Sequence, residues 1–247
     1  MLLSYDGSAF HGWQVQPGKA TVQQALSDAV WAVTGERVVV HGSGRTDAGV
    51  HALGQVAHVR FTSRLPAANL RRALNARLPA SVRVREAAEA APDFHARHGA
   101  RGKLYRYRIY RGEVCPPFLV HYVYHHPYPL LEAAMAAAAP AWEGRHDFRS
   151  FAAAPARDSA PAHNTVRRVW RSELRRQGEE LVYEVEGEGF LHHMVRNLVG
   201  FLLEVGRGAR RGEEISEVLA ARSRAAAGPT APARGLYLVR VDYGEPG

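Results

Sequence analysis

The sequence of 247 residues contains a single cysteine, Cys115, which excludes an internal disulfide and a cysteine-rich zinc site. It has no stretch of about 18 or more uncharged apolar residues, so no membrane-spanning helix is expected. The opening MLLSYDGSAF lacks the basic end and long apolar run of a signal peptide, and the expected location is the cytoplasm. GSGRTDAG (42–49) is neither of the glycine patterns that cradle phosphates, and neither GxSxG nor HExxH occurs. Lysine is confined to Lys19 and Lys103, so nearly all the positive charge is arginine.

Of what is present, 46% is hydrophobic, enough for one large domain or two small ones. The 32 basic residues exceed the 24 acidic ones, for a net charge of +8. Residues 1–100 carry 11 basic and 7 acidic side chains and the rest of the chain 21 and 17, so each part has an excess of +4. Charge spread in this way fits a polyanionic partner, foremost a nucleic acid. An arginine- and alanine-rich composition also follows from a GC-rich genome, so charge alone does not decide.

Short strands are expected at 2–5, 38–43, 55–61 and 81–87, with helices over 21–34 (stopped by Gly35) and 66–78 (closed by Pro79). Beyond residue 100, strands are expected at 103–110, 121–126 and 236–243. A hairpin turns on Gln177-Gly178, and helices are expected over 130–139, 190–206 and 213–221. Residues 152–164 read as an Ala/Pro loop. Paired strands with helices between them predict an α+β fold with largely antiparallel sheets. The expected domains are 1–100 and 101–247.

Four places can carry chemistry. Asp47 lies on a turn among Gly44, Ala48 and Gly49, small neighbours that let a bulky substrate approach. Its carboxylate can act as nucleophile, general base or metal ligand. Arg45, two residues earlier, can hold a carboxylate or phosphate with its planar fork. Asp47 and His51 have metal-ligand spacing only on a helix, which Gly49 disfavours, and the chain's thirteen histidines, His95/His98, His125/His126 and His192/His193 among them, form no metal motif. In KLYRYRIY (103–110), Tyr105, Tyr107 and Ile109 share one strand face and Arg106 and Arg108 the other. Such a face either stacks a base or is an ordinary amphipathic strand. Arg196 falls early in an apolar helix and is either a surface arginine that snorkels to solvent or a buried one that needs a partner such as Asp47.

These residues resemble a known family. GRTDAGVHA (44–52) is similar to the catalytic motif of the TruA family of tRNA pseudouridine synthases. YDGSAFHGWQVQP with TVQQAL, KLYRYRIY, HDFRSF (146–151), GFLHHMVRN (189–197) and GPTAPARGLYLVRVDY (228–243) resemble its other blocks in the same order, over nearly the whole chain. The resemblance implies two similar α/β domains with a basic active-site cleft between them and a homodimer that grips tRNA. It implies isomerisation of uridine at tRNA positions 38, 39 and 40 without a cofactor. It places the nucleophile on Asp47, the base-stacking tyrosine on Tyr105, and active-site arginines on Arg45 and Arg196, with no metal. The short start before the first strand and the 152–164 loop depart from the family pattern; neither touches the catalytic blocks. The rival expectations are a non-catalytic RNA-binding module of the same fold and a metal-dependent nuclease or phosphatase using Asp47 and His51.

Overall fold

A computed structural model describes residues 1–153 and 164–244. In chain order, the regular elements among the described residues are β1 (Leu2–Tyr5), α1 (Val22–Thr34), β2 (His41–Gly42), β3 (His51–His58), α2 (Ala67–Arg77), β4 (Val82–Glu86), β5 (Gly102–Tyr110), β6 (Tyr124–His125), α3 (Glu132–Ala138), β7 (Gly144–Asp147), β8 (Val166–Gln177), β9 (Glu180–Gly187), α4 (Met194–Gly206), α5 (Glu214–Ala221) and β10 (Leu236–Asp242). Most of the expected 152–164 loop lies outside the described residues.

The backbone divides into two compact units, Met1–Arg101 with the closing strand from Tyr237, and Gly102–Leu236. A division at residue 100 leaves the closing strand with the second part, whereas its backbone pairs with β3 of the first.

In the first unit β1 lies between β4 and β3, antiparallel to both, and β10 joins the other edge of β3 in parallel. Helix α1 begins where the Thr21 side chain accepts the Gln24 N–H, and it ends at Gly35, whose positive φ of 75° closes the last turn. Leu26 and Val30 on one stripe of α1, with Leu74 of α2 and Leu3 and Val82 of the sheet, are fully buried. Removing each such side chain from water contributes about 1.5–3 kcal/mol.

The expected strand over 38–43 shrinks to the two residues of β2. The carbonyl of Val40 accepts instead from the Gln23 side chain of α1 at 2.8 Å, so a side chain takes the place of a ladder bond. Strand β3 begins at His51, four residues before the expected Gln55. Ala52 and Gly54 are weak strand formers, but pairing with β1 on one side and β10 on the other overrides propensity.

In the second unit β8 and β9 form the expected hairpin, with Gly178 at φ 56° in its turn. Strand β5 pairs antiparallel with β9 and parallel with β6, and β7 is an antiparallel edge strand on β8. The four-residue β7 has no apolar alternation, burial pattern or turn signal to reveal it in the sequence. Trp142, Phe151 and Phe201 meet edge to face with centroids 5.7–6.2 Å apart and form an aromatic centre for α4. The pairings of both units are mostly antiparallel, which makes the architecture α+β.

Candidate active site

The turn that carries Asp47 joins β2 to β3 in the first unit. Within it Val50 N–H donates to the Asp47 carbonyl at 3.1 Å. Its shape comes from what surrounds it. Gln55 of β3 is fully buried; its Oε1 accepts from Ser43 Oγ at 2.6 Å and its Nε2 donates to the Gly44 carbonyl at 3.0 Å. Thr46 Oγ1 bonds the Tyr5 hydroxyl at 2.8 Å. Burial pushes the Tyr5 phenol up to about 12, against the lowering effect of its hydrogen bonds to Thr46 and Gln55, so the hydroxyl keeps its proton.

The segment after β1 grips the same turn from the other side. Trp13 N–H donates to the Thr46 carbonyl at 3.0 Å and Gly49 N–H to the Phe10 carbonyl at 3.3 Å. Gly12 sits at φ 89°, and a Cβ there would lie 2.6 Å from the Thr46 carbonyl oxygen. Only glycine allows this approach. The DG…HGW stretch of the sequence is thus the clamp on the Asp47 turn.

On this frame Thr46 points inward and is buried, Asp47 is half-buried, and Arg45 is exposed. Arg45 forms no ion pair among the described residues, and its guanidinium faces solvent. His51 does not join Asp47 on the turn. It belongs to β3, is 2% exposed, accepts from Gly7 N–H on Nδ1 at 3.0 Å, and stacks on Tyr237 at 4.8 Å. Nδ1 therefore carries no proton, and its 3.3 Å approach to Asp6 is not an ion pair. His51 is a packed core histidine, and the Asp47–His51 metal pairing weighed from spacing has no geometric basis.

Tyr105 and Arg196 belong to the second unit. Tyr105 lies on β5 opposite Val185 of β9, is 8% exposed, and meets the edge of Phe190 at 5.1 Å. Most of the ring is held by the protein, which fixes its plane. Arg106 and Arg108, on the other face of β5, are not free cations. Arg106 Nε donates to Glu184 directly across the ladder at 2.8 Å, and Arg108 makes two bonds to Glu180 at 2.5 and 2.7 Å. These pairs neutralise the strand's arginines.

Arg196 occupies the first turn of α4, which begins at Met194, with His193 at φ 61° as its N-cap. The helix expected from Phe190 starts late because residues 188–193 form the turn that delivers β9 to it. Arg196 Nε donates to the Ala231 carbonyl at 2.8 Å, and Ala231 N–H returns a bond to the Arg196 carbonyl at 3.0 Å. The 228–231 segment is itself anchored. Arg224 donates to the Gly228 carbonyl at 2.6 Å, to Thr230 Oγ1 at 2.8 Å and to Asn197 Oδ1 at 3.0 Å. The buried Asn197 donates in turn to the Phe151 carbonyl at 2.6 Å. Gln55, Tyr5, Asn197 and Arg224 are supporting residues that sequence reasoning missed. Their only signal is that they lie in or beside the blocks that carry the resemblance.

The structure thus brings Arg45 and Asp47 together on one braced turn of the first unit. It places Tyr105 and Arg196 on a strand and a helix of the second. Comparison with known proteins identifies the family. A family model described as tRNA pseudouridine synthase matches residues 1–98 and 138–244. The chain is 53% identical over 241 residues to tRNA pseudouridine synthase A of Solibacter usitatus, covering 98% of this chain and 97% of that one. It is 47% identical to the proteins of the same name from Limosilactobacillus fermentum and Moorella thermoacetica, covering 98% of this chain in each case and 95% and 97% of theirs.

Proposed function

This chain belongs to the tRNA pseudouridine synthase family, and we propose that it isomerises uridine to pseudouridine in tRNA, at positions 38, 39 and 40 of the anticodon arm, with Asp47 as nucleophile. The observation that carries the activity is identity of about half the residues over 98% of the chain to synthases that share one name. The role of Asp47 is supported by the construction of its turn, where buried side chains and a glycine clamp hold a reactive anion in place.

The reaction breaks the C1′–N1 bond, turns the base and joins C1′ to C5. The proton on C5 leaves to water and N1 regains one, so atoms and electrons balance within the substrate. No electrons are exchanged and no phosphoryl group moves, so the chemistry needs neither a redox cofactor nor a phosphate loop. The target base must leave its stack to be reached. In this reading Tyr105 holds the flipped base against its fixed ring plane, and Arg45 takes a phosphate or fills the vacated space. Arg196 favours the ionised form of the carboxylate, as an opposite charge does. The net charge of +8 supplies the sequence-independent hold on the RNA. The same reading makes the enzyme a cytoplasmic homodimer.

The test is position mapping. Unmodified tRNA transcripts with uridine at 38, 39 or 40 are incubated with the protein and read by carbodiimide adduct formation and primer extension. Stops at those three positions alone are expected. Pseudouridine elsewhere in the tRNA, or none at all, would overturn the assignment.

A further inference from the structure

Four histidines of the first unit gather at the end of β3 remote from the Asp47 turn. His41 of β2 and His58 of β3 are cross-strand partners and stack with centroids 5.0 Å apart and planes 15° apart. His95 lies 4.6 Å from His58 and 5.5 Å from His41, and His98 lies 4.2 Å from His95. His41 and His98 are exposed, and His58 and His95 half-buried.

The backbone fixes the protonation of two of these rings. His58 Nδ1 accepts from Ala96 N–H at 3.1 Å, and His95 Nδ1 accepts from Arg97 N–H at 3.1 Å and His98 N–H at 3.2 Å. A nitrogen that accepts from an amide carries no proton, so in the neutral ring the hydrogen resides on Nε2. Burial, His95, His41 and Arg60 together hold the His58 pKa down to about 4, which keeps this ring neutral at ordinary pH. Neither Nε2 makes a hydrogen bond among the described residues.

At His58 and His95 this tautomer disfavours metal ligation. On these two rings a metal would need the Nε2 lone pair, which the proton occupies while Nδ1 accepts from backbone amides. A metal-ligating histidine normally donates its second ring nitrogen to an acceptor; here the second nitrogen is the acceptor. What His58 and His95 offer is N–H donors. Beside them Arg60, whose guanidinium is anchored to the Pro92 carbonyl at 2.6 Å, adds positive charge with no carboxylate partner among the described residues. Fixed donors next to an unpaired cation suit an oxyanion.

We propose that His41, His58, His95 and His98, with Arg60, form a second RNA contact that receives a backbone phosphate of the bound tRNA. The proposal rests on the synthase reading for the identity of the RNA. From His51 to His58 the strand runs seven residue steps, about 23 Å at a strand's rise of about 3.3 Å per residue. The phosphate held there is therefore not that of the target nucleotide. Contacts of this kind fix register on the RNA rather than read its sequence.

The test is binding and turnover measured on the same proteins. In His58→Asn/His95→Asn, which keeps an acceptor near the Nδ1 position and removes the Nε2 donor, tRNA affinity should fall about three- to tenfold, the loss of one or two hydrogen bonds. KM should rise with it, and kcat at saturating tRNA should stay at the wild-type value. Wild-type affinity in this variant would overturn the proposal, while continued tritium release from uridine C5 would show the synthase reading intact. Loss of all turnover at saturation would instead implicate the catalytic reading. A second measurement avoids any folding defect. Long-range proton–nitrogen NMR of the histidine rings should show Nε2-protonated His58 and His95, with shifts at Nε2 on adding tRNA. Shifts produced by inorganic phosphate alone but not by tRNA would mean a free-anion site and overturn the proposal. So would tight zinc binding that the double variant abolishes.

Discussion

Gln55→Leu isolates the bracing of the Asp47 turn from its chemistry. The substitution preserves volume and apolar packing at a fully buried position of β3. It removes the bonds from Ser43 Oγ and to the Gly44 carbonyl, and the longer 3.4 Å contact to the Tyr5 hydroxyl. Each intact hydrogen bond contributes about 0.5–1.5 kcal/mol, and a polar group left without a partner inside costs about 1–3 kcal/mol. Together these give a loss of about 2–4 kcal/mol, which for a chain of this size lowers Tm by roughly 5–15 °C. The catalytic effect is the sharper one. Residues 44–47 lose the contact that sets their register, and a displacement near 1 Å is worth about 100-fold in rate. Measured by tritium release at saturating tRNA and a temperature well below Tm, kcat should fall by about that factor, with little change in tRNA affinity. Gln55→Glu separates the two bonds. A carboxylate still accepts from Ser43 but offers Gly44 no proton, so its activity relative to wild type should rise as pH falls and the carboxyl regains a donor. A Gln55→Leu enzyme with wild-type kcat would refute the bracing argument.

Arg45→Ala should lower turnover more than tRNA affinity, because other arginines share the phosphate contacts; equal losses in kcat and in affinity would refute its placement at the target nucleotide. Arg224→Leu frees the 228–231 segment that anchors Arg196 and should lower kcat about tenfold at nearly constant KM, with Arg224→Lys recovering part of it; a change confined to KM would argue against positioning. In Gly200→Ala the new methyl meets the Pro229 carbonyl, a backbone atom that cannot swing away; calorimetry should register about 1–3 kcal/mol of overpacking. His126 is buried with no hydrogen-bond partner for Nε2 among the described residues, and burial, with Arg207, Arg111 and His125, depresses its pKa to about 4. The unfolded chain takes up the proton that the folded one resists, so stability falls as pH drops from about 6.5 to about 4. His126→Leu should flatten that part of the Tm–pH curve, and an unchanged slope would locate the acid sensitivity elsewhere.

The Asp47 turn was legible as a turn because its glycines and small residues are adjacent in sequence. The helices α1, α2 and α5 and the β8–β9 hairpin were legible from periodicity, a cap or a turn glycine. The frame of the site was not legible. Gln55 and Tyr5 are fifty residues apart and become neighbours only when β1 and β3 pair. The ion pairs of Arg106 and Arg108 were not legible because Glu184 and Glu180, their partners, lie 78 and 72 residues downstream. Spacing disfavoured His51 as a companion to Asp47 but did not reveal that a strand begins at His51. The parallel pairing of β10 with β3, which sets that beginning, joins the two ends of the chain.

The central claim is that Asp47 carries the chemistry on a turn built to present it. The measurement that tests it most directly uses tRNA labelled with tritium at uridine C5, with wild-type protein and Asp47→Ala side by side and no added metal or cofactor. Formation of the C1′–C5 bond must release the label to water. The account predicts release by the wild type alone, with both proteins binding tRNA equally well. Release by both would remove Asp47 from the reaction, and tight binding with release by neither would leave an RNA-binding protein and no synthase.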